Sequence, residues 1–582
     1  MSSLHIRFRS RATFLIAIIA LAVLTKYLLS VHFSTTQGRF SVPPIPDDIA
    51  YFAEGVSTAN RIREDSSLQT ILTELFRHHH SPILNIFATT AYLTSAPQYL
   101  VGSGDWSGFY LPNKLLGLFM LSLIPCLYSL IFRGQRDFIT IIIATLVTFC
   151  FSWTGGLITE YRPDLPCALL LASGTILFTQ RIFRGNSPLF IGPLLTIAAL
   201  YAKPTTFIPI IATGISSTIL TWLCWRLFGR FIEKASNKEI YTSLIASAVA
   251  LVPFACINLI PTIRYVYRAL VTDSRIWSEA FKNQGLAEKF GWYFEPTTGG
   301  GSITSPLNNQ ILIISVVCLL AARLAWRNKP EHQGFTSYYH GYLAAIAASI
   351  PYYALASISA HKGHFIGSYI GIILTLLFSA ILATLLHEAT RKYGKGFHAL
   401  RLTVVVILGV LMVNTPPFES FWWPYGYPIS DSKAASLHRN IVDQTLAQVG
   451  TFISLLQVPK PHIFVASKRL LHGELVRTYL ISKPGTHQEY KVISGETVSG
   501  KDKLKDEIEA SDIIVFEPRE IAKSFYNFDL YTPSIQRHLR RLESSPSTIS
   551  TSETKDKELT PDGGRQGIMI FARISSSPDS AR

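Results

Sequence analysis

Four short polar segments interrupt a mostly apolar chain, and their residue types fit acid–base or anion chemistry. The first is Pro46-Asp47-Asp48-Ile49-Ala50-Tyr51, with Glu54 a turn later. One Asp before a helix would serve as an N-cap, but two adjacent carboxylates exceed what capping needs and suit a general base beside an orienting partner. The second is Glu160-Tyr161-Arg162-Pro163-Asp164-Leu165-Pro166. It reads either as a tight turn with a local ion pair or as a substrate-positioning loop. The third, Lys203-Pro204, breaks two apolar runs, so Lys203 either snorkels to an interface or meets an anionic headgroup. In the fourth, His361-Lys362-Gly363-His364, the histidines are metal ligands or solvated turn residues. Arg264, Arg268 and Arg275 form either a phosphate-binding set or a solvated cationic face. His78-His79-His80 reads as an exposed polar stop, and Gly299-Gly300-Gly301 lacks the strand and the G-K-[ST] of a phosphate loop.

The elements that must position these residues lie in a membrane. Of 582 residues, 48% are apolar and only 16% charged, against roughly 25% charged in soluble proteins. Mean hydropathy is +0.28. Residues 13–33 follow Arg7, Arg9 and Arg11 and are long enough to cross a ~30 Å hydrocarbon core; an apolar region longer than the usual ~7–15 residues, without an A-x-A site, favours an uncleaved span over a signal peptide. Further runs at 112–132, 138–154, 164–180, 188–202, 205–225, 240–260, 309–322, 339–359, 365–386 and 402–414 predict about eleven transmembrane helices. Positive charge collects in every second connection: Arg133 and Arg136; Arg181 and Arg184; Arg226, Arg230, Lys234 and Lys238; Arg323, Arg327 and Lys329; Arg391, Lys392, Lys395 and Arg401. This alternation predicts a multi-pass protein of the cell (inner) membrane with residues 1–12 in the cytoplasm. It places 34–111, 155–163, 261–308, 360–364 and everything after 415 outside. The net charge of +15 is largely this orientation signal, so nucleic acid is not an expected partner.

The chain therefore divides into a cytoplasmic N-terminus (1–12), a transmembrane domain (13–414) with long outer loops at 34–111 and 261–308, and a small extracytoplasmic α/β domain (415–582). In the first outer loop, 49–76 has helical spacing and 82–93 is apolar but short, as for helices at the membrane surface. In the last domain, Leu437, Ile441, Leu446, Val449, Ile453 and Leu456 form a helical stripe, and 462–466, 490–493, 512–516 and 567–571 read as buried strands. The polar stretch 543–564 reads as a mobile loop. The six cysteines sit in apolar runs without C-x-x-C spacing, which indicates neither a disulfide framework nor a zinc site.

Nearly all the chemically suggestive residues fall on the predicted outer face, where no nucleotide donor is normally supplied. A sugar on a polyprenyl phosphate brings its own activation, so the chain needs only a base for the acceptor and cations for the departing phosphate. No organic cofactor is required; a divalent cation is the one inorganic partner these carboxylates and histidines could hold.

The acidic pair followed by Tyr after the first span (Asp47, Asp48, Tyr51), the His80-Ser81-Pro82 segment, the R-P-D-x-P run from Arg162 to Pro166, and Ala202-Lys203-Pro204 resemble, in order and sidedness, the integral-membrane glycosyltransferases of GT-C fold. That family includes protein O-mannosyltransferases and transferases that add aminoarabinose or galacturonic acid to lipid A. The resemblance spans roughly residues 10–414. It implies a polyprenyl-phosphate sugar donor, membrane lipids as surroundings, an extracytoplasmic acceptor (lipid, glycan or protein), and transfer with inversion. Asp47 would take the catalytic-base position and Asp164 the second acidic position, with Asp48 orienting acceptor or base. Apart from the resemblance, a departing phosphate dianion needs fixed cations, so Lys203 with Arg264 or Arg268, and His361 or Lys362 close by, are the expected donor-phosphate contacts, and Tyr51, Glu160 and Arg162 the substrate-positioning residues. The family's usual H-P-P is H-S-P here. The competing class, a lipid-linked-sugar flippase or other transporter, calls for polar residues through the bilayer midplane or paired repeats, and the sequence displays neither clearly.

Overall fold

The computed structural model describes residues 2–44, 46–76, 81–95, 106–133, 137–184, 188–228, 236–267, 285–291, 317, 333–358, 368–417, 432–456, 458–466, 471–482, 490–495, 498, 500–516, 533–543, 548–551 and 569–573. They cluster into two compact units. One contains 1–32, 68–86 and 113–420, the other 33–67, 87–112 and 421–582.

The first unit is helical. Along the chain lie α1 (Ser2–Gln37), α2 (Pro46–Glu64), α3 (Leu68–Phe76), α4 (Pro82–Thr94), α5 (Leu111–Ile131), α6 (Phe138–Phe149), α7 (Ser152–Thr159), α8 (Asp164–Arg184), α9 (Ile191–Ala202), α10 (Phe207–Phe228), α11 (Asn237–Pro253), α12 (Leu259–Tyr267), α13 (Leu286–Gly291), α14 (Gln333–Ile358), α15 (Ser368–Tyr393) and α16 (Lys395–Asn414). Of these, α2 belongs to the second unit, which also takes the end of α1, the start of α5 and most of α4. Among the described residues six helices are long and apolar enough to cross a membrane. Two further pairs pass the same test together: 138–149 with 152–159, bent by 71°, and 191–202 with 204–220, bent by 119°. The expected span at 309–322 lies almost wholly outside the described residues.

Helix α8 is the centre of this unit and packs against α9, α10, α14 and α15. Its contact with α9 is close because Gly174 faces Gly192; a Cβ on Gly174 would stand 2.8 Å from the Gly192 carbonyl oxygen. Small residues that let helix backbones approach are the usual adhesive between membrane helices. Hydroxyl groups supply the rest. Tyr128 and Thr148 share a hydrogen bond of 2.7 Å, Thr148 Oγ1 donates to Ser379 Oγ at 3.0 Å, and Trp153 Nε1 donates to Thr375 Oγ1 at 3.2 Å. A second group joins Tyr369 to Thr175 and Ser349 at 3.3 and 3.0 Å.

At one end of the bundle Asp137 caps α6, accepting from the Ile139 N–H at 3.2 Å and from Thr140 Oγ1 at 2.9 Å. Its Oδ2 also meets His387 Nδ1 and Arg401 Nη2, each at 2.6 Å. Burial pushes the Asp137 carboxyl up, but the His387 hydrogen bond and the Arg401 charge outweigh it and hold the group well below the ordinary carboxylate range. This corrects the sequence reading of Arg401 as a loop charge. Gly394, at φ 74°, turns the chain sharply after α15, so the next helix begins at Lys395 and carries Arg401 in its interior, where it is buried.

The second unit holds a five-stranded sheet in the order β2-β1-β3-β5-β4, formed by β1 (His462–Ala466), β2 (Lys491–Ser494), β3 (Ile513–Phe516), β4 (Thr548–Thr551) and β5 (Met569–Arg573). β1 runs parallel to both β2 and β3, and β5 is antiparallel to β3 and β4. Helix α18 (Gly473–Ile481) makes the crossover from β1 to β2, and α19 (Lys501–Glu509) the one from β2 to β3, as parallel neighbours require. β1 is buried along its whole length, in keeping with its apolar run. Its core joins Phe464, Leu504, Ile508, Ile514, Phe516 and Ile535, the last from α20 (Pro533–Glu543). The stretch expected as a mobile loop, 543–564, contains the edge strand Thr548–Thr551, whose β-branched Thr and Ile suit a strand despite their polarity; 552–564 lies outside the described residues. The helical stripe expected at 437–456 is α17 (Ser432–Leu456). Helix α2 packs on α18 in this unit, where Asn60 Nδ2 donates to the Ile481 carbonyl at 3.3 Å, and Arg439 of α17 donates to the Ser41 carbonyl at 2.6 Å.

Candidate functional site

The acidic pair opens α2. Pro46 is its first residue, which suits a ring that fixes φ and has no N–H to lose, and two carboxylates in the first turn complement the helix dipole. The side chain of Asp47 lies outside the described residues. Asp48 does not: its Oδ2 forms an ion pair at 3.0 Å with Arg39 Nη2, and the two side chains are 0% and 1% exposed. Arg39 is held by a 3-10 turn over Arg39–Ser41 that follows α1. Beside it Phe40 stacks on Tyr110 with ring centroids 4.6 Å apart, and the Tyr110 hydroxyl donates to the Val42 carbonyl at 2.9 Å. Tyr51 is half-buried on α2. Sequence reasoning missed Arg39. Its signal was there, because a carboxylate destined for burial requires a cation and Arg39 is the basic residue between the first span and Asp48.

The other polar segments belong to the helical unit, and three of them meet. Ser81 caps α4, accepting from the Leu84 N–H at 3.3 Å, and donates its own hydroxyl proton to the Ala202 carbonyl at 2.6 Å. Tyr161 reaches from the turn before α8 to donate to the Leu84 carbonyl at 2.5 Å. Asp164, in the first turn of α8, forms an ion pair with Lys203. The segments around Ser81, Asp164 and Lys203 are thus tied together although up to 121 residues separate them. Glu160 is buried at the end of α7, and Arg162 is half-buried between it and Asp164.

Lys203 sits where α9 ends and the chain turns through Pro204–Thr206 into α10. Proline forces this break, and Thr206 Oγ1 closes the turn by donating to the Lys203 carbonyl at 2.8 Å. Two residues earlier, the Tyr201 hydroxyl inserts into the ladder of a neighbouring helix, accepting from the Phe254 N–H at 2.8 Å and donating to the Ala250 carbonyl at 2.8 Å. These are the two groups that a continuous helix would have joined. The result is a π-turn over Phe254–Asn258 between α11 and α12, and α12 packs on the turn that follows Lys203.

Of the expected phosphate contacts, only Lys203 is placed within this cluster. Arg264 is exposed on α12, and Arg268, His361 and Lys362 lie outside the described residues, as do His80 and Arg275. Among the described residues no group of three or more His, Cys, Asp or Glu could hold a metal ion.

No family model matches the sequence, and no curated protein matches it. The chain is similar to ArnT. Two crystal structures of ArnT from Cupriavidus metallidurans, one bound to undecaprenyl phosphate and one in the apo state, each match with 12% identity and a TM-score of 0.49 over 97% of this chain and 98% of that chain. At that identity and score the likeness carries no weight for chemistry, which rests on the chain's own residues.

Proposed function

We propose that this integral membrane protein is a glycosyltransferase that moves a sugar from a polyprenyl-phosphate carrier to an acceptor outside the cytoplasm, with inversion. The observation that carries this reading is the meeting of Ser81, Tyr161, Asp164 and Lys203 at one break in the helical bundle, where a carboxylate and an ammonium lie beside backbone turns. An ammonium fixed at that place stabilises a departing phosphate without reorganising solvent. In the step itself, the acceptor oxygen or nitrogen attacks the anomeric carbon and the bond from that carbon to the phosphate oxygen breaks. The phosphate leaves with the electron pair, and the acceptor proton passes to Asp47. What supports the last assignment is the sequence: Asp47 adjoins Asp48, and Asp48 is already committed to Arg39. The C-terminal α/β domain lies on the acceptor side in this reading, as the alternation of basic connections requires.

The test is to incubate the purified protein with radiolabelled polyprenyl-phosphate sugars and membrane lipid extract, with and without EDTA. A transferase releases bare polyprenyl phosphate and labels an acceptor. Movement of intact donor across proteoliposomes without cleavage would replace this reading with a lipid-linked-sugar transporter.

A further inference from the structure

The end of the π-turn and the helix after it carry two buried polar side chains that no described residue satisfies. Asn258 and Thr262 are both 0% exposed. Among the described residues neither Asn258 Oδ1 nor Nδ2 has a hydrogen-bond partner, and neither has Thr262 Oγ1. Among the buried helical threonines of the described residues, only Thr145 shares this lack. Thr213, Thr242 and Thr384 each donate to the carbonyl four residues back, at 2.9, 2.8 and 2.7 Å, whereas Thr262 leaves the Asn258 carbonyl untouched. Leaving a buried polar group unmet is destabilising, so two on one face of a helix form an energetic debt that a ligand would cancel.

Four residues apart, Asn258 and Thr262 share that face. It is the buried side of a helix on which Ile260, Ile263 and Tyr267 are exposed. The same helix packs on Pro204–Thr206, directly after Lys203. The chemistry of the pair decides what fits. A phosphate only accepts hydrogen bonds, so it would use Asn258 Nδ2 and leave Oδ1 facing an anion. A sugar hydroxyl both donates and accepts, and a carboxamide beside a hydroxyl offers both roles.

Resting on the transferase reading above, we propose that Asn258 and Thr262 bind hydroxyl groups of the sugar carried by the donor, next to the turn at which Lys203 meets its phosphate. The π-turn is the device that places them: by inserting its hydroxyl, Tyr201 couples the position of this face to the α9 end that bears Lys203.

The experiment uses the full-length protein in nanodiscs, native and with Asn258→Leu, Thr262→Val, the double change, and the conservative Thr262→Ser. Affinity is measured for farnesyl phosphate and for farnesyl-phosphate mannose, glucose and aminoarabinose, and the unfolding temperature is recorded for each protein. The expected result is an unfolding temperature at or above native for the Leu and Val variants, because unmet polar atoms have been removed. Affinity for bare farnesyl phosphate should stay within about twofold of native. Affinity for the preferred sugar-bearing carrier should fall about tenfold in the double variant and stay near native in Thr262→Ser, which keeps the hydroxyl. Unchanged affinity for the sugar-bearing carrier would overturn the proposal, and so would equal loss for bare and sugar-bearing carriers. A native protein that binds the carrier but prefers no sugar would overturn it while leaving the carrier reading intact. A native protein that binds no carrier at all would overturn the transferase reading and this one together.

Discussion

Arg39 Nη2 and Asp48 Oδ2 meet at 3.0 Å with both side chains out of solvent. A pair buried this completely is weak evidence of net stabilisation, but breaking it strands a charge, at a cost of about 3–5 kcal/mol. Asp48→Asn and Arg39→Met are each expected to lower the unfolding temperature of the detergent-purified protein sharply. The double variant Arg39→Met/Asp48→Leu should recover most of the loss. Thermal unfolding followed by tryptophan fluorescence checks the order, and a single variant as stable as native would show that the pair is not maintained.

Asp47 is expected to behave differently from its neighbour. Removing the basicity of a positioned general base while keeping its size should reduce turnover by about 10²–10⁴-fold. Asp47→Asn is therefore predicted to unfold like the native protein yet transfer sugar at that reduced rate. Full activity at native yield would remove Asp47 from the chemistry.

The Asp164–Lys203 pair allows structure and catalysis to be separated. Exchanging the two charges, Asp164→Lys with Lys203→Asp, should restore folding relative to either single reversal, because the attraction is preserved. Donor use should not return, since the cation would then stand on α8 instead of at the break after α9. Lys203→Ala alone should raise the donor KM about tenfold with a smaller change in kcat. Activity in the exchanged protein would show that the pair serves the fold only.

What the sequence disclosed and what it hid follow from the range of the interactions involved. Apolar runs marked the helices because their signal is local, and α8 or α15 could be read from spacing and length. The 119° turn at Lys203-Pro204 was also visible, since proline acts on its own neighbours. Ser81 and Ala202 were each noted in short motifs, but their contact depends on how distant helices pack. Asn258 lies in an apolar run and Thr262 in an outer connection, and neither stands out there, because their meaning lies in polar atoms that no described residue satisfies. Arg401 was read as a loop charge, since nothing in its own neighbourhood reveals an aspartate 264 residues away.

That aspartate gives a prediction in pH. With its native carboxyl depressed below the unfolded value near 3.9, Asp137 contributes stability that is complete above that value and is lost as pH falls toward its native value. Arg401→Met removes the charge that opposes burial, so the native carboxyl should then titrate at higher pH. The variant is expected to be less stable than native near neutral pH but to lose less further stability than the native protein as pH falls from roughly 5 to 2, because its native and unfolded carboxyls then titrate closer together. Unfolding temperatures recorded across that interval check the shift, and parallel curves would show that Arg401 does not set it.

The twelve residues of α9 extend only about 18 Å, well short of a ~30 Å hydrocarbon layer, before the chain reverses at Lys203. A bilayer facing that hairpin must dimple inward or admit water at the break, and either response brings the headgroup plane toward the lysine. An isoprenoid carrier could then slide its charged head sideways into the bundle without first lifting its tail out of the membrane. If the chain is the transferase proposed above, lipid thickness becomes a control on the reaction: short acyl chains should ease entry, and long, saturated ones should slow it by deepening the mismatch around the hairpin.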